Sequence, residues 1–376
     1  MELLGGLSVE TFLSEYWQKK PLLVRQAVPG FAGLVSAEGM NELACRDDAI
    51  SRLVKVEQGA WQLEQGPFDG RRLKKLQKGE WSLLVSNLNH FMPEAAELFY
   101  RFSFIPYARL DDLMVSYAPQ GGTVGPHFDS YDVFLLQAGG RKRWQVSAQQ
   151  DNTLIEGAPL KILQHFTPEQ EWVLEPGDML YLPPRYAHNG VALEPGMTYS
   201  IGFRAPSAQE LATQFLAFLQ DQLELDGMYA DPDLQTQKQP ALLGEAMVDR
   251  VEAMLSGIRW GRGDIKAFLG HYLSEPKAHV LFDPPEDELS VKQFAKRVAS
   301  DGVVLDLKTQ MLHCDDQFFC NGESVTATDD EAALLAELAN ARHLTARMVQ
   351  GPLLDLMYEW FEYGYLHLGT DPLPAG

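Results

Sequence analysis

Cysteine is nearly absent from this chain. Three residues, Cys45, Cys314 and Cys320, are spread over 376 positions. An odd and sparse set of this kind excludes a disulfide framework. Cys314, Cys320 and His313 form a zinc-like fragment, but no fourth ligand stands at finger spacing, so no zinc site is read there. Long apolar runs are missing as well, and no uncharged apolar stretch reaches the length of a membrane-spanning helix. Residues 1 to 20 carry Trp17 and the Lys19–Lys20 pair where a secretory leader would place an apolar run behind a basic start. A reducing cytoplasm is the expected location. Positive charge is scarce: 31 basic residues stand against 52 acidic ones, a formal net charge of -21. Such a surface repels nucleic acid and attracts basic proteins. Neither a βαβ alternation nor a Rossmann or P-loop glycine signature is present, and there is no internal repeat or low-complexity tract.

The chain has enough apolar residues, 45%, to bury a core in two or three domains. Between residues 110 and 205 the pattern is mostly short strands, predicted at 112–118, 131–137, 142–147, 171–175, 179–182 and 197–203. Glycine and proline punctuate them in "APQGGTVGPH", "QAGGR", "EPGD" and "PPRYAHNG". Many short strands with such turns predict a barrel or jelly roll. After Pro206 the character changes. "SAQELATQFLAFLQDQLEL" (207–225) reads as a helix with a Ser cap and Glu210 three residues into it, and helical patterns return at 243–257 and 264–273. A further shift at "FDPPEDELS" opens a segment of helix, strand pair and helix. The expected division is therefore 1–206, 207–281 and 282–376.

The stretch "PHFDS" (126–130) holds a histidine and a carboxylate two residues apart. On an extended backbone, side chains at i and i+2 share a face, so His127 and Asp129 can converge on one ion. His188, in "YLPPRYAHNG" after a predicted strand, follows Asp129 by 59 residues, enough for several antiparallel strands to return across a barrel. Two histidines and one carboxylate leave three positions open on Fe(II). The plain alternative is a loop histidine that caps a strand.

Three blocks, "GPHFDSYDVFLLQAGGRKRW", "LEPGDMLYLPPRYAHNGVAL" and "YSIGFRAP", resemble the JmjC family of Fe(II)- and 2-oxoglutarate-dependent oxygenases, and most of all its bacterial ribosomal oxygenases. The resemblance runs the whole chain. It implies an α+β fold: a double-stranded β-helix (jelly-roll, cupin-like JmjC) barrel, a helical dimerisation region and a C-terminal winged-helix-like domain. It also implies His127, Asp129 and His188 as iron ligands, with 2-oxoglutarate and O₂ as cosubstrates. The activity implied is hydroxylation of an arginine β-carbon in large-subunit ribosomal protein L-sixteen by a homodimer.

The cosubstrate needs a cation and a hydroxyl for its distal carboxylate. The resemblance points to Lys142, fifteen residues after His127. Ser116, which shares a strand face with Met114, and Thr123 are the hydroxyl candidates, though either can instead cap a turn. Trp144 walls the pocket or belongs to the core. Asn189 orients His188 or fills a turn before Gly190. An arginine substrate calls for acidic and aromatic neighbours. Asp132, Tyr131, Tyr117, Asp111 and Asp112 stand near the expected mouth, with Asp132 the first choice. Arg204 reads as a structural ion-pair residue.

Two rival classes remain open at this level. One is a JmjC oxygenase acting on another protein residue or on RNA; the other is a cupin-like binding protein without turnover. A winged shape can grip DNA. The stretch 311–332, however, carries Asp315, Asp316, Glu323, Asp329 and Asp330 without a basic cluster, so direct DNA binding is not expected.

Overall fold

The computed structural model describes residues 2–76, 79–286 and 288–369. Eleven strands build the region up to residue 203: β1 (Leu22–Val24), β2 (Ser51–Glu57), β3 (Ala60–Gln65), β4 (Trp81–Val85), β5 (Leu110–Ala118), β6 (Val133–Ala138), β7 (Lys142–Ser147), β8 (Gln170–Leu174), β9 (Met179–Leu182), β10 (Ala187–Ala192) and β11 (Gly196–Phe203). They form two sheets. The larger has the order β1-β9-β6-β11-β5-β4-β2-β3 and the smaller β10-β7-β8. Every pairing among them is antiparallel. The two sheets make a double-stranded β-helix, with strand boundaries within about two residues of the predicted ones for six of the strands.

Between residues 110 and 205, the strand absent from the sequence reading is β10. Pro183–Pro184 before it and Asn189–Gly190 inside it look like turn punctuation. Here Gly190 serves a different purpose. It lies in register with Trp144 on β7, and a Cβ there would come within 2.7 Å of the indole ring. Glycine lets the backbone approach a large side chain closely.

Period-two alternation sorts the large sheet into two faces. On β11, Met197, Tyr199, Ile201 and Phe203 join a core that also holds Phe12, Phe99, Phe102 and Phe134. Thr198, Ser200 and Gly202 line a cavity on the opposite face. On β5, Leu113 and Val115 face that core, while Asp112, Met114 and Ser116 face the cavity. A second cluster, with Val133, Leu135, Trp144, Val146 and Leu180, packs on the cavity side.

The chain divides into two compact units. One comprises residues 1–205, 276–309 and 340–376, the other 206–275 and 310–339. The first cut falls beside the expected boundary at 206. The expected third segment, 282–376, is shared between both units, and its residues 287 and 370–376 lie outside the described residues. Within the second unit, helix Ala208–Gln220 begins on Ser207, whose hydroxyl accepts from the Glu210 amide at 3.1 Å. Helices Glu245–Leu255 and Arg262–Ser274 follow. A small antiparallel sheet of Met311–Cys314, Gln317–Cys320 and Glu323–Val325 belongs to the same unit.

Candidate active site

The segment carrying His127 is stitched to β10 by an isolated antiparallel bridge to His188. The Arg185 amide donates to the Asp129 carbonyl at 2.8 Å. These backbone bonds bring ligand atoms of His127, Asp129 and His188 within 4.8 Å of one another. The His188 Nε2 lies 3.7 Å from an Asp129 carboxylate oxygen. Both imidazoles are anchored the same way: Nδ1 of His127 sits 2.9 Å from the Gly125 carbonyl, and Nδ1 of His188 sits 2.9 Å from the Tyr186 carbonyl. A carbonyl only accepts, so Nδ1 carries the proton and the Nε2 lone pair is left for an ion. Burial, then the neighbouring His127, pushes the His188 pKa down to about 4, so the ring is neutral at pH 7, the form that binds a metal. Two imidazoles and one carboxylate suit Fe(II) with open positions.

The three residues line a cavity of about 430 Å³. Its floor follows strand register. Arg52, Leu84, Ser116, Thr198 and Gln137 form one row across β2, β4, β5, β11 and β6. Met114, Ser200 and Leu135 form the next, and Asp112, Gly202 and Val133 the one after.

Lys142 reaches this floor from the smaller sheet. Its Nζ donates to the Thr198 hydroxyl at 3.2 Å, and that hydroxyl donates to Oε1 of Gln137 at 3.2 Å. Lys142 is only 8% exposed, and burial lowers its pKa to about 8. No carboxylate pairs with it among the described residues. A buried cation without a counter-ion calls for an anionic ligand, and the distal carboxylate of a 2-oxo acid fits. Ser116 is buried beside it, its hydroxyl 3.5 Å from the Thr198 carbonyl. Thr198 and Gln137 were not singled out in the sequence. Their involvement becomes visible only through β11 register.

The structure places the other candidates as follows. Met114 lines the cavity, its sulfur accepting from Arg52 at 3.5 Å. Thr123 does not line it. Its hydroxyl donates to Oδ1 of Asn189 at 3.1 Å and accepts from the Gly125 amide at 3.0 Å, so it shapes the turn before His127. Tyr131 lines the cavity and is 39% exposed. Burial and the adjacent Asp129 raise its pKa.

Two expectations are corrected by strand parity. Asp132 has the opposite parity to cavity-lining Val133 and is fully buried. It accepts from the Tyr181 hydroxyl at 2.6 Å and from Nε2 of Gln18 at 2.9 Å, with Arg109 at 3.6 Å, so it is a core acid that no substrate can reach. Tyr117 likewise packs toward the core, its ring 5.8 Å from Trp81. Asp112, by contrast, faces the cavity. Burial, then repulsion from Asp111, raises its pKa to about 6. Asp111 also lines the cavity but is engaged by Lys277 at 2.9 Å and Arg204 at 3.5 Å. Arg52, a half-buried cation on the cavity wall, carried no sequence signal of its own.

A JmjC-domain family model matches residues 97–211, and a model described as ROXA-like winged helix matches 257–367. The chain is 34% identical over 360 residues to the ribosomal protein uL16 3-hydroxylase of Escherichia coli K12, covering 94% of this chain and 95% of the relative. It is 40% identical over 233 residues to a probable ribosomal oxygenase of Haemophilus influenzae, covering 61% of this chain and 55% of that one. The X-ray structure of E. coli ycfD aligns with a TM-score of 0.84 at 31% identity, covering 96% of this chain and 98% of the other. The same E. coli ribosomal oxygenase in complex with cobalt and 2-oxoglutarate aligns with a TM-score of 0.82 at 31% identity, covering 97% and 99%.

Proposed function

The chain belongs to the JmjC ribosomal oxygenases and is a 2-oxoglutarate-dependent dioxygenase; we propose that it hydroxylates the β-carbon of an arginine in ribosomal protein uL16. The observation that carries this reading is the set of groups gathered in one cavity. It combines the buried cation Lys142, the donor set His127, Asp129 and His188, and the acid Asp112 beside half-exposed Tyr131.

Each residue has a role that follows from its chemistry. His127, Asp129 and His188 would hold the iron. Bound iron supplies, with O₂ and 2-oxoglutarate, the oxidising power that hydroxylates an unactivated C–H bond. Lys142 neutralises the distal carboxylate of the cosubstrate, with the Ser116 and Thr198 hydroxyls beside it. Asp112 takes the guanidinium of the substrate, and the Tyr131 ring offers it a π-face. Val133, Leu135 and Ile162 give the cavity apolar walls, which exclude water from the reacting carbon. No protein base is needed at that carbon.

An acidic chain suits a basic ribosomal partner. A homodimer is supported by the second unit, where Leu216, Leu234, Leu243 and Trp260 are 65%, 73%, 73% and 57% exposed, more apolar surface than a monomer usually leaves open. No helix among the described residues is long and apolar enough to cross a membrane. The cytoplasm is where a ribosomal protein is met.

The test is succinate formation from 2-oxoglutarate with Fe(II), with and without arginine-containing peptides that tile uL16, followed by mass analysis. The expected outcome is coupled turnover and a gain of one oxygen atom on arginine. Turnover without oxidation of the peptide would redirect the substrate assignment to another protein or to RNA.

A further inference from the structure

Trp144 carries a buried donor that the chain itself leaves unmet. The residue is 4% exposed and lines the catalytic cavity, yet its indole Nε1–H has no acceptor among the described residues. Native structures seldom leave such a group unpaired unless a ligand or water completes it. An indole nitrogen donates and never accepts, so the missing partner must bring an acceptor.

Position narrows the choice. Lys142 and Trp144 point to the same side of β7, and the Lys142 Nζ stands 4.7 Å from the Trp144 ring centroid. Further along the same strand, Val146 lies in register with His188. Trp144 therefore sits midway between the lysine and a metal ligand, about 7 Å along the strand from each level. The neighbouring His188 ring, 5.8 Å away, has no nitrogen to spare, because Nδ1 meets the Tyr186 carbonyl and Nε2 is one of the metal donors. Gly190 lies against the six-membered edge of the indole, the edge remote from Nε1, so the donor points away from β10's backbone at that position.

We propose that Trp144 is a cosubstrate-binding residue, its indole N–H donating to the distal carboxylate of the 2-oxo acid that Lys142 neutralises. Its ring face then walls the methylene chain between the two acid ends. The assignment rests on the 2-oxoglutarate reading of this cavity.

The experiment uses the full chain loaded with Mn(II) in place of iron, and calorimetry with two acids. 2-Oxoglutarate carries the distal carboxylate; 2-oxobutyrate has the same oxo-acid end and lacks it. Trp144→Phe keeps the aromatic body and removes the donor. The expected result is an affinity loss of roughly tenfold for 2-oxoglutarate, the scale of a hydrogen bond to a charged group, with 2-oxobutyrate changed by less than about twofold. Equal losses for both acids would mean that the ring acts only through packing, and unchanged affinity for both would mean that the donor is idle; either overturns the proposal. In the unaltered protein, one indole ¹⁵N–H resonance should move on adding 2-oxoglutarate and stay still with 2-oxobutyrate, a readout that survives even if the variant fails to fold. Wild-type protein that holds Mn(II) but binds neither acid would remove the cosubstrate reading, an outcome separate from failure of the tryptophan alone.

Discussion

His127 and His188 are bound to each other through their backbones. The His127 amide donates to the His188 carbonyl at 3.0 Å, and the His188 amide returns the bond at 2.7 Å, with the ring centroids 4.2 Å apart. The metal donors are thus set by a hydrogen-bonded pair of extended segments, which places them before any ion arrives. Preorganised ligands spare the ordering cost at the moment of binding.

Removing one donor should therefore empty the site without unfolding the chain. Changes to partners outside the ligand shell alone cost about 10–100-fold in metal affinity, so His188→Ala should cost at least about 100-fold and abolish succinate formation. Titration with Fe(II) or Co(II), read beside the melting temperature, checks this. Retained metal affinity in the variant would place the ion elsewhere.

Lys142 predicts a pH dependence with a definite sign. Its pKa is lowered to about 8 by burial, and only the charged form neutralises a carboxylate. Affinity for 2-oxoglutarate should fall as pH rises through that value, by roughly tenfold between pH 7 and pH 9. In Lys142→Arg the cation stays charged over this range, so the slope should flatten even if absolute affinity changes with the altered fork. A slope that persists in the arginine variant would assign the titration to another group.

Much of this site was legible as motif. His127, Asp129 and His188 lie in blocks whose spacing and framing are visible in one dimension, and the family resemblance of those blocks pointed to Lys142. Strand parity was harder to read. Asp132 looks like a mouth residue because it sits beside Tyr131 and Asp129, yet β6 turns its side chain into the aromatic core with Phe134 and Tyr181. Ser116, Thr198 and Gln137 are far apart in the chain and become neighbours only through β5, β11 and β6 register. β10 was hidden because its glycine serves packing against Trp144 and reads as a turn. The way residues 276–309 and 340–369 group with the catalytic region depends on long-range packing, which local periodicity does not encode.

Gly190 offers a test of that packing. A Cβ at this position would lie 2.7 Å from the Trp144 ring and 2.8 Å from the Lys142 Cε, well inside contact distance. Gly190→Ala should destabilise the fold by about 1–3 kcal/mol, the usual cost of overpacking. It should also weaken 2-oxoglutarate binding, because the displaced residues are the lysine and the indole. Thermal melts with and without 2-oxoglutarate separate the two effects. A variant with unchanged stability and affinity would show that β10 can shift outward freely.

The two acids Asp112 and Asp132 should part company under substitution. Asp112 faces the cavity and holds no salt bridge within 4.0 Å among the described residues, so Asp112→Asn should leave the melting temperature nearly unchanged and raise the KM for a uL16 peptide. The expected rise is roughly tenfold or more, the weight of a charge-assisted hydrogen bond, with 2-oxoglutarate affinity unaffected. Asp132 accepts from Tyr181 and Gln18 in a site closed to solvent. Asp132→Ala strands those donors and should cost about 1–3 kcal/mol of stability, while the protein that remains folded keeps its peptide KM. The same two measurements on both variants decide the matter. A KM effect confined to Asp132→Ala would restore it to the substrate site and send Asp112 back to a structural role.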